Sequence, residues 1–281
     1  VTNTLYDDAE IYDILHAPGT AKDVAGLARI ERLYSTAPKT AAWLEPACGS
    51  ARYLLAASKK GRRVIGFDLA QGMIDYALAR FKAAGLSRRA SLFVADMADF
   101  ATHVKPGSVS LAFNLINSIR HLDSDAALAA HFRDIAASLH PGGVYAVGIS
   151  LSLYGFEPPT EDVWQGRRGR THVHQVIQFE PPTGPAAGKG RSKAARVERV
   201  FSHLTITRGK SASTADATYG LRCYDHDQWR TAIDRSPLVE LATTDERGTH
   251  LPPACPGYSL FILGRRDSRK PGPISPRRPA R

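Results

Sequence analysis

The sequence predicts an α/β fold, a doubly wound sheet with an antiparallel β lid inserted after its fifth strand. Three observations lead there. Apolar runs of strand length alternate with helical periodicities over residues 40–150. A small-residue turn, Glu45-Pro46-Ala47-Cys48-Gly49-Ser50-Ala51-Arg52, opens the first of these helices, and the next strand, Arg63-Val64-Ile65-Gly66-Phe67-Asp68, ends in an acid. After Ser150 the helices cease and strand alternation takes over. Strands alternating with helices give a parallel sheet covered on both faces, whereas consecutive strands give an antiparallel meander.

In chain order, residues 1–39 form an N-terminal helical cap. Ile11, Ile14 and Leu15 recur at helical spacing over residues 7–15. Val24, Leu27, Ala28, Ile30, Leu33 and Tyr34 do so after the Pro18-Gly19 break. Tyr12, on the first helix, reads by itself as a half-buried packing residue. The core, residues 40–150, has strands at 40–45, 63–68, Ser91 to Ala95, Val109 to Phe113 and Val144 to Ile149. Its helices lie near 51–60 and 70–84, and a further one carries Leu128, Phe132, Ile135 and Leu139 behind a cap at Asp123 or Ser124. His140-Pro141-Gly142-Gly143 is expected to end that helix in a turn.

Residues 151–224 form the lid, with strand character at 172–180, 196–207 and 217–224. A Pro/Gly/Ala loop beginning at Pro181 separates the first two. Trp164 and Arg167-Arg168-Gly169-Arg170 are placed on the connection into the lid. Residues 225–266 complete the core sheet, through a capped helix from Asp225 that carries Trp229 and two strands at Leu238 to Thr243 and Tyr258 to Leu263. The Pro/Arg/Ser composition of residues 267–281 predicts a disordered basic tail.

The net charge of +10 over 281 residues is localised. Residues 184–211 hold seven Lys/Arg against one acid and residues 267–281 five against one, so the remainder is neutral. Neither basic segment interleaves aromatics for base stacking, which disfavours a nucleic-acid partner. Cys48, Cys223 and Cys255 are odd in number and far apart. That pattern predicts no disulfide framework and no zinc or other metal site, and it fits a reducing cytoplasm. With no apolar run of membrane-spanning length, a soluble protein without a membrane partner is expected. Cys48 reads as a small neutral filler, since no base stands beside it.

Strand, tight turn, helix, strand and acid make the nucleoside-binding half of a doubly wound fold. A pyrophosphate needs three glycines in that turn, and only Gly49 is present, so a dinucleotide is disfavoured. A nucleoside without phosphates remains. Here the sequence resembles the class I S-adenosylmethionine-dependent methyltransferases, whose first motif is acidic-x-Gly-x-Gly-x-Gly. Glu45, Ala47, Gly49 and Ala51 stand at those positions, with alanine replacing two glycines. The resemblance implies a Rossmann-like sheet of seven strands, the last antiparallel, with S-adenosyl-L-methionine as cofactor. It implies cofactor contacts from Glu45, Ala47, Gly49, Ser50, Arg52, Asp68, Leu69, Met73, Asp96, Met97 and Asn114, with Asp68 on the ribose and Asp96-Met97 on adenine. The methyl of Ala51 is expected to face the close approach of turn and cofactor.

Asn114-Leu115-Ile116-Asn117-Ser118-Ile119-Arg120-His121-Leu122 resembles the stretch that lines the acceptor pocket of glycine N-methyltransferase-like enzymes. On that basis Asn117 and His121 are carried over as catalytic. Taken alone, Asn117 reads equally as a loop-capping amide and His121 as a hydrogen-bonded residue before the Asp123 cap. The lid resembles that of small-molecule N-methyltransferases, including sugar-amine enzymes, where it builds the acceptor pocket and often a homodimer interface. Tyr12, Arg170, Arg222 and Tyr224 are the substrate-binding candidates. The resulting expectation is methyl transfer to a small-molecule acceptor, on nitrogen before oxygen, by in-line displacement. The competing readings are an RNA or protein methyltransferase using the basic loop and tail, and a non-catalytic binder of S-adenosylmethionine.

Overall fold

The computed structural model describes residues 8–182, 184, 196–251 and 257–267. Most of the basic loop and nearly all of the basic tail, as well as Cys255, lie outside the described residues. Seven strands form the main sheet: β1 (Ala42–Pro46), β2 (Val64–Asp68), β3 (Ala90–Val94), β4 (Val109–Asn114), β5 (Leu139–Leu151), β10 (Leu238–Thr244) and β11 (Gly257–Arg265). Their order is β10-β11-β5-β4-β1-β2-β3. The first five pair in parallel, and β11 lies antiparallel to both β5 and β10. The expected seven-stranded sheet with an antiparallel last strand is therefore present.

Helices cover both faces, as the two apolar runs per βα unit require. On one side, α2 (Thr20–Tyr34), α3 (Arg52–Lys59) and α4 (Gln71–Ala83) bury Leu27, Ile30, Leu54, Ile74 and Phe81 against Trp43, Leu111 and Ile262 of the sheet. On the other, α5 (Asp125–Ser138) and α6 (His226–Asp234) bring Phe132, Ile135, Trp229 and Ile233 onto Leu44, Phe67, Tyr145 and Phe261. The Ser124 side chain caps α5, and a capping box of Asp225 with Gln228 starts α6.

A second, antiparallel sheet of four strands runs β6 (Thr160–Arg168), β7 (Thr171–Glu180), β8 (Val197–Arg208) and β9 (Ser211–Arg222), paired in that order. The sequence suggested only three strands here, with residues 160–168 as a connection. β6 is an edge strand, and Gly166 is its only buried residue, so it carries no apolar alternation to read. Arg167 and Arg168 end β6, and Gly169-Arg170 make the tight turn into β7. The short N-terminal helix α1 (Ala9–His16) lies against this sheet, burying Ile11, Ile14 and Leu15 with Val173 and Leu204. The contact is close: a Cβ on Gly166 would stand 2.0 Å from the Ile14 carbonyl oxygen.

One boundary is corrected. His140-Pro141-Gly142-Gly143 is not a turn but the first part of β5. The Gly142 carbonyl accepts the amides of Thr36 and Ala37 at 2.9 and 3.2 Å, so the segment preceding β1 supplies the partners that hold it extended.

Candidate functional site

The turn between β1 and α3 is built on three left-handed residues at alternate positions. Ala47, Gly49 and Ala51 have φ of 51°, 51° and 53°. These are the positions at which the resembled motif carries glycine, and a left-handed alanine costs about 1–2 kcal/mol. The expectation for Ala51 needs correcting: it is fully buried in the apolar cluster with Trp43, Leu54 and Phe113, so its methyl packs into the core. The two alanines should respond differently. Ala47→Gly is expected to raise stability by about 1 kcal/mol by relieving strain. Ala51→Gly should come out near neutral, because a buried methyl worth about 0.8 kcal/mol is lost. Urea unfolding of both variants checks this.

Asp68, at the end of β2, grips this turn. Its Oδ2 accepts the Gly49 amide at 2.8 Å and its Oδ1 accepts the Ala70 amide at 3.0 Å. Burial pushes its pKa up, and the amides of Ala70, Gly49 and Leu69 pull it back. The carboxylate retains acceptor capacity for a further donor.

Glu45, which ends the apolar stretch of β1, is 6% exposed, and its Oε2 has no hydrogen-bond partner. Burial drives its pKa well above the ordinary carboxylate value, with Arg52 opposing and Asp68 adding to the rise. A sealed carboxylate oxygen without a donor is costly unless a cation or donor meets it. Arg52, the first residue of α3, is buried too. It donates to Thr20 Oγ1 at 3.1 Å and to the Tyr53 hydroxyl at 2.5 Å, and stacks on the Tyr53 ring. It also lines a cavity of about 260 Å³ together with His16, Asp23, Tyr53, Ile116 and Trp164. An acid and a guanidinium in one low-dielectric site match the ammonium and carboxylate of an amino acid.

Helix α1 closes this site. A Cβ on Gly49 would approach the Tyr12 ring within 2.8 Å, so Tyr12 packs on the turn itself. Tyr12 was expected on the substrate side, and the structure sets it over the cofactor turn. Its ring lies 4.4 Å from that of His16, which meets Trp164 edge-on at 4.9 Å. Burial, with Arg52 adding, lowers the His16 pKa to about 3, so this imidazole is neutral. Sequence reasoning passed over His16 and Asp13. For His16 a signal existed, since residues 12 and 16 share one helix face. For Asp13 there was none, because its partners are remote. Asp13 is fully buried and accepts from Ser50 Oγ at 2.6 Å, Arg80 at 2.5 Å and Arg168. Ser50, expected on the cofactor, thus spends its hydroxyl proton on Asp13.

The residues that the resemblance sets beside adenine separate. Leu69 is exposed, and Asp96 turns its Oδ1 back onto the Ala98 amide at 2.7 Å. Met73 is fully buried, a correction to its expected place on the ligand surface. Asn114 is likewise buried, and its amide is already spent. Its Nδ2 donates to the Pro46 carbonyl at 2.7 Å, and its Oδ1 accepts the Tyr145 hydroxyl at 2.7 Å. The Tyr145 hydroxyl lies 2.9 Å from His131 Nε2, and His131 Nδ1 lies 2.8 Å from the Met97 carbonyl. Burial lowers the His131 pKa to about 4, so the ring is neutral. A carbonyl only accepts, which puts the imidazole proton on Nδ1 and leaves the Tyr145 proton shared between Nε2 and Asn114. This buried chain joins the ends of β1 and β4 to β5, α5 and the Met97 loop. Asn114 is a framework residue, and Met97 offers its carbonyl inward with its sulfur 3.8 Å from Asn114.

After β4, Ile116 and Asn117 are both left-handed, at φ 53° and 61°. A β-branched residue there is strained and persists only where surroundings impose it. The imposing contacts are visible: the Ile116 amide donates to the Tyr258 hydroxyl at 2.9 Å, and Asn117 clamps Ser150 through both amide atoms at 2.7 and 3.1 Å. Asn117 therefore caps this loop, and its expected catalytic role is corrected to holding the strand ends. His121 stacks on Tyr219 of β9 at 6.0 Å, and burial together with Arg120 lowers its pKa.

The lid residues are also sorted. Arg222 pairs with Asp125 at 3.0 Å and donates to the Asp123 carbonyl at 3.2 Å. Tyr224 lies in the core against Trp229. Neither is open to a substrate, because β9 runs into the main domain at this point. Arg170 is exposed in the β6–β7 turn, where its carbonyl accepts the Gly209 amide.

Comparison with known proteins agrees with this geometry. Residues 44–143 match the family described as methyltransferase domain. Over 143 residues the chain is 34% identical to dTDP-3-amino-3,6-dideoxy-alpha-D-glucopyranose N,N-dimethyltransferase of Streptomyces fradiae, an alignment covering 50% of this chain and 51% of that one. The match thus spans about half the length of that relative. Among solved structures, Streptomyces venezuelae DesVI superposes with a TM-score of 0.68 at 20% identity, covering 93% of this chain and 98% of the other. The sugar N-methyltransferase KedS8 from Streptoalloteichus sp. ATCC 53650 gives 0.67 at 20% identity, covering 92% of each. At such identities the superpositions speak for the fold. The superpositions and the strand order show a Rossmann-like sheet, and within it residues 44–143 match a methyltransferase domain.

Proposed function

We propose that this chain transfers the methyl group of S-adenosylmethionine to the amino nitrogen of a small molecule, with an amino sugar as the favoured acceptor class. The observation that carries the cofactor assignment is Glu45, a buried carboxylate with an unpartnered oxygen beside a left-handed turn. That arrangement fits the cofactor, whose amino-acid ammonium would satisfy Glu45 and whose carboxylate would meet Arg52. Asp68 would accept the ribose hydroxyls, with Leu69 and Asp96 beside the adenine. The bound sulfonium would supply a methyl already activated for displacement. What the protein adds is alignment and exclusion of water. Tyr12 covers the turn, neutral His16 lines the adjoining cavity, and His121 is the candidate to take the acceptor's N–H proton. The sugar-amine reading takes its support from the named activities of the Streptomyces fradiae relative and KedS8. No helix among the described residues is long and apolar enough to cross a membrane.

Calorimetry tests the cofactor assignment with a definite sign. In the free protein, burial keeps Glu45 protonated above its ordinary value. A bound ammonium favours the carboxylate, so binding must release a proton and tighten as pH rises through the Glu45 titration. Titration of S-adenosylmethionine in buffers of different ionisation enthalpy should show that release, and uptake of a proton would overturn the pairing. Methyl-labelled cofactor offered with nucleotide-linked amino sugars should give an N-methylated product. Labelling of hydroxylated but never of amino acceptors would move the reaction to oxygen.

A further inference from the structure

Asp13 joins three elements: the left-handed turn, α4 and the lid sheet. Its Oδ1 accepts Ser50 Oγ at 2.6 Å and Arg80 Nη1 at 2.5 Å, and its Oδ2 accepts Arg168 Nη2 and the Tyr76 hydroxyl, the latter at 3.4 Å. Arg80 also donates to the Ser50 carbonyl at 3.3 Å, and Arg168 Nη1 donates to the Tyr76 hydroxyl at 2.8 Å. The junction therefore holds both the side chain and the carbonyl of Ser50 in the left-handed turn. It ties them to α4, through Tyr76 and Arg80, and to the lid, through Arg168 at the end of β6. The neighbouring Tyr12 packs its ring on Gly49 from the same helix.

Two consequences follow from this placement. A ligand approaching Gly49 must displace or slide past Tyr12, and α1 cannot shift while Asp13 holds both the turn and the lid. A shift of α1 would also strip a fully buried carboxylate of its guanidinium partners, which is strongly unfavourable. We propose that Asp13 is a positioning residue that latches α1 and the lid sheet to the cofactor turn, so that lid and cofactor are released together. This rests on the assignment of the turn to S-adenosylmethionine. The latch predicts a slow exchange of the cofactor, limited by breaking the Asp13–Arg168 pair.

Asp13→Ala would orphan two arginines and is expected to cost the fold, so Arg168 is the informative position, its side chain being 41% exposed. Stopped-flow displacement of S-adenosylhomocysteine, followed by tryptophan fluorescence, reads the dissociation rate. Arg168→Ala is expected to raise that rate about tenfold, the scale of one lost charge-assisted hydrogen bond. The association rate should rise with it, leaving equilibrium affinity changed by much less. Arg168→Lys should recover part of the slow exchange. Arg167→Ala, one residue away with its guanidinium on the Gly169 carbonyl, is the charge control and should match the unaltered protein. Exchange unchanged in Arg168→Ala, or raised equally in Arg167→Ala, overturns the latch. A loss of affinity carried by the dissociation rate alone, with association unchanged, also overturns it. Absence of binding by the unaltered protein would instead count against the cofactor assignment.

Discussion

Asp68→Ala is expected to lower the affinity for S-adenosylmethionine by at least about a hundredfold, the combined scale of two hydrogen bonds to a charged acceptor. The effect has two sources. The carboxylate supplies the free lone pairs assigned to the ribose, and it also fixes the Gly49 and Ala70 amides that shape the turn. Asp68→Asn separates them. An amide keeps one acceptor oxygen and so restores one of the two backbone contacts, and its loss of affinity should be intermediate. Calorimetry on folded variants decides the matter. A loss below about threefold in Asp68→Ala, roughly 0.65 kcal/mol, would remove Asp68 from the binding site.

Asn114→Ala should destabilise the protein by about 1–3 kcal/mol, because it leaves the Pro46 carbonyl buried without this donor and the Tyr145 hydroxyl with His131 Nε2 as its remaining partner. The consequence reaches past stability. The same amide holds the end of β4 to the end of β1, where Pro46 precedes the left-handed turn. Cofactor affinity should therefore fall in parallel, although Asn114 has no amide atom left to offer the ligand. The urea midpoint should drop with the m-value unchanged. A change under about 1 kcal/mol would mean that water replaces the amide at no cost, and that the chain through His131 does not brace the strand ends.

Much of the fold was legible because its determinants are local. The helices of the core bury faces with a 3.6-residue period, the parallel strands are short apolar runs, and Asp225-His226-Asp227-Gln228 announces a capping box that the structure contains. The turn at Glu45 to Arg52 was legible for the same reason, since its small residues and the following helix are contiguous. β6 was not. As an edge strand with one buried residue, it is held by pairing with β7 and by α1, neither of which lies in its own pattern.

The candidate site divides along the same line. Residues whose role depends on backbone shape, Ala47, Gly49 and Ala51, were placed by the motif. Residues whose role depends on who else is buried nearby were misjudged. Asn114, Asn117, Arg222 and Tyr224 carry functional groups that would suit a ligand, but Asn114, Arg222 and Tyr224 are buried and the half-buried Asn117 is tied to Ser150. Asn114, Asn117 and Arg222 are satisfied there by protein partners. Asp13 was passed over for the converse reason, since its partners Ser50, Arg80 and Arg168 stand 37, 67 and 155 residues away.

By itself, then, the sequence determined the α/β alternation, the small-residue turn that disfavours a pyrophosphate, and the acid closing each of the first two strands. Only the tertiary structure decided which polar groups are open to a ligand and which are consumed by the framework. The physical reason is that periodicity and turn chemistry are set by neighbours along the chain. The cost of burying a carboxylate or an amide is set by whatever distant residues fold against it. Glu45 is buried with an oxygen unmet, and Asp13 is buried with every partner in place. On that difference rest the two proposals, of Glu45 as a binding group and of Asp13 as the latch beside it.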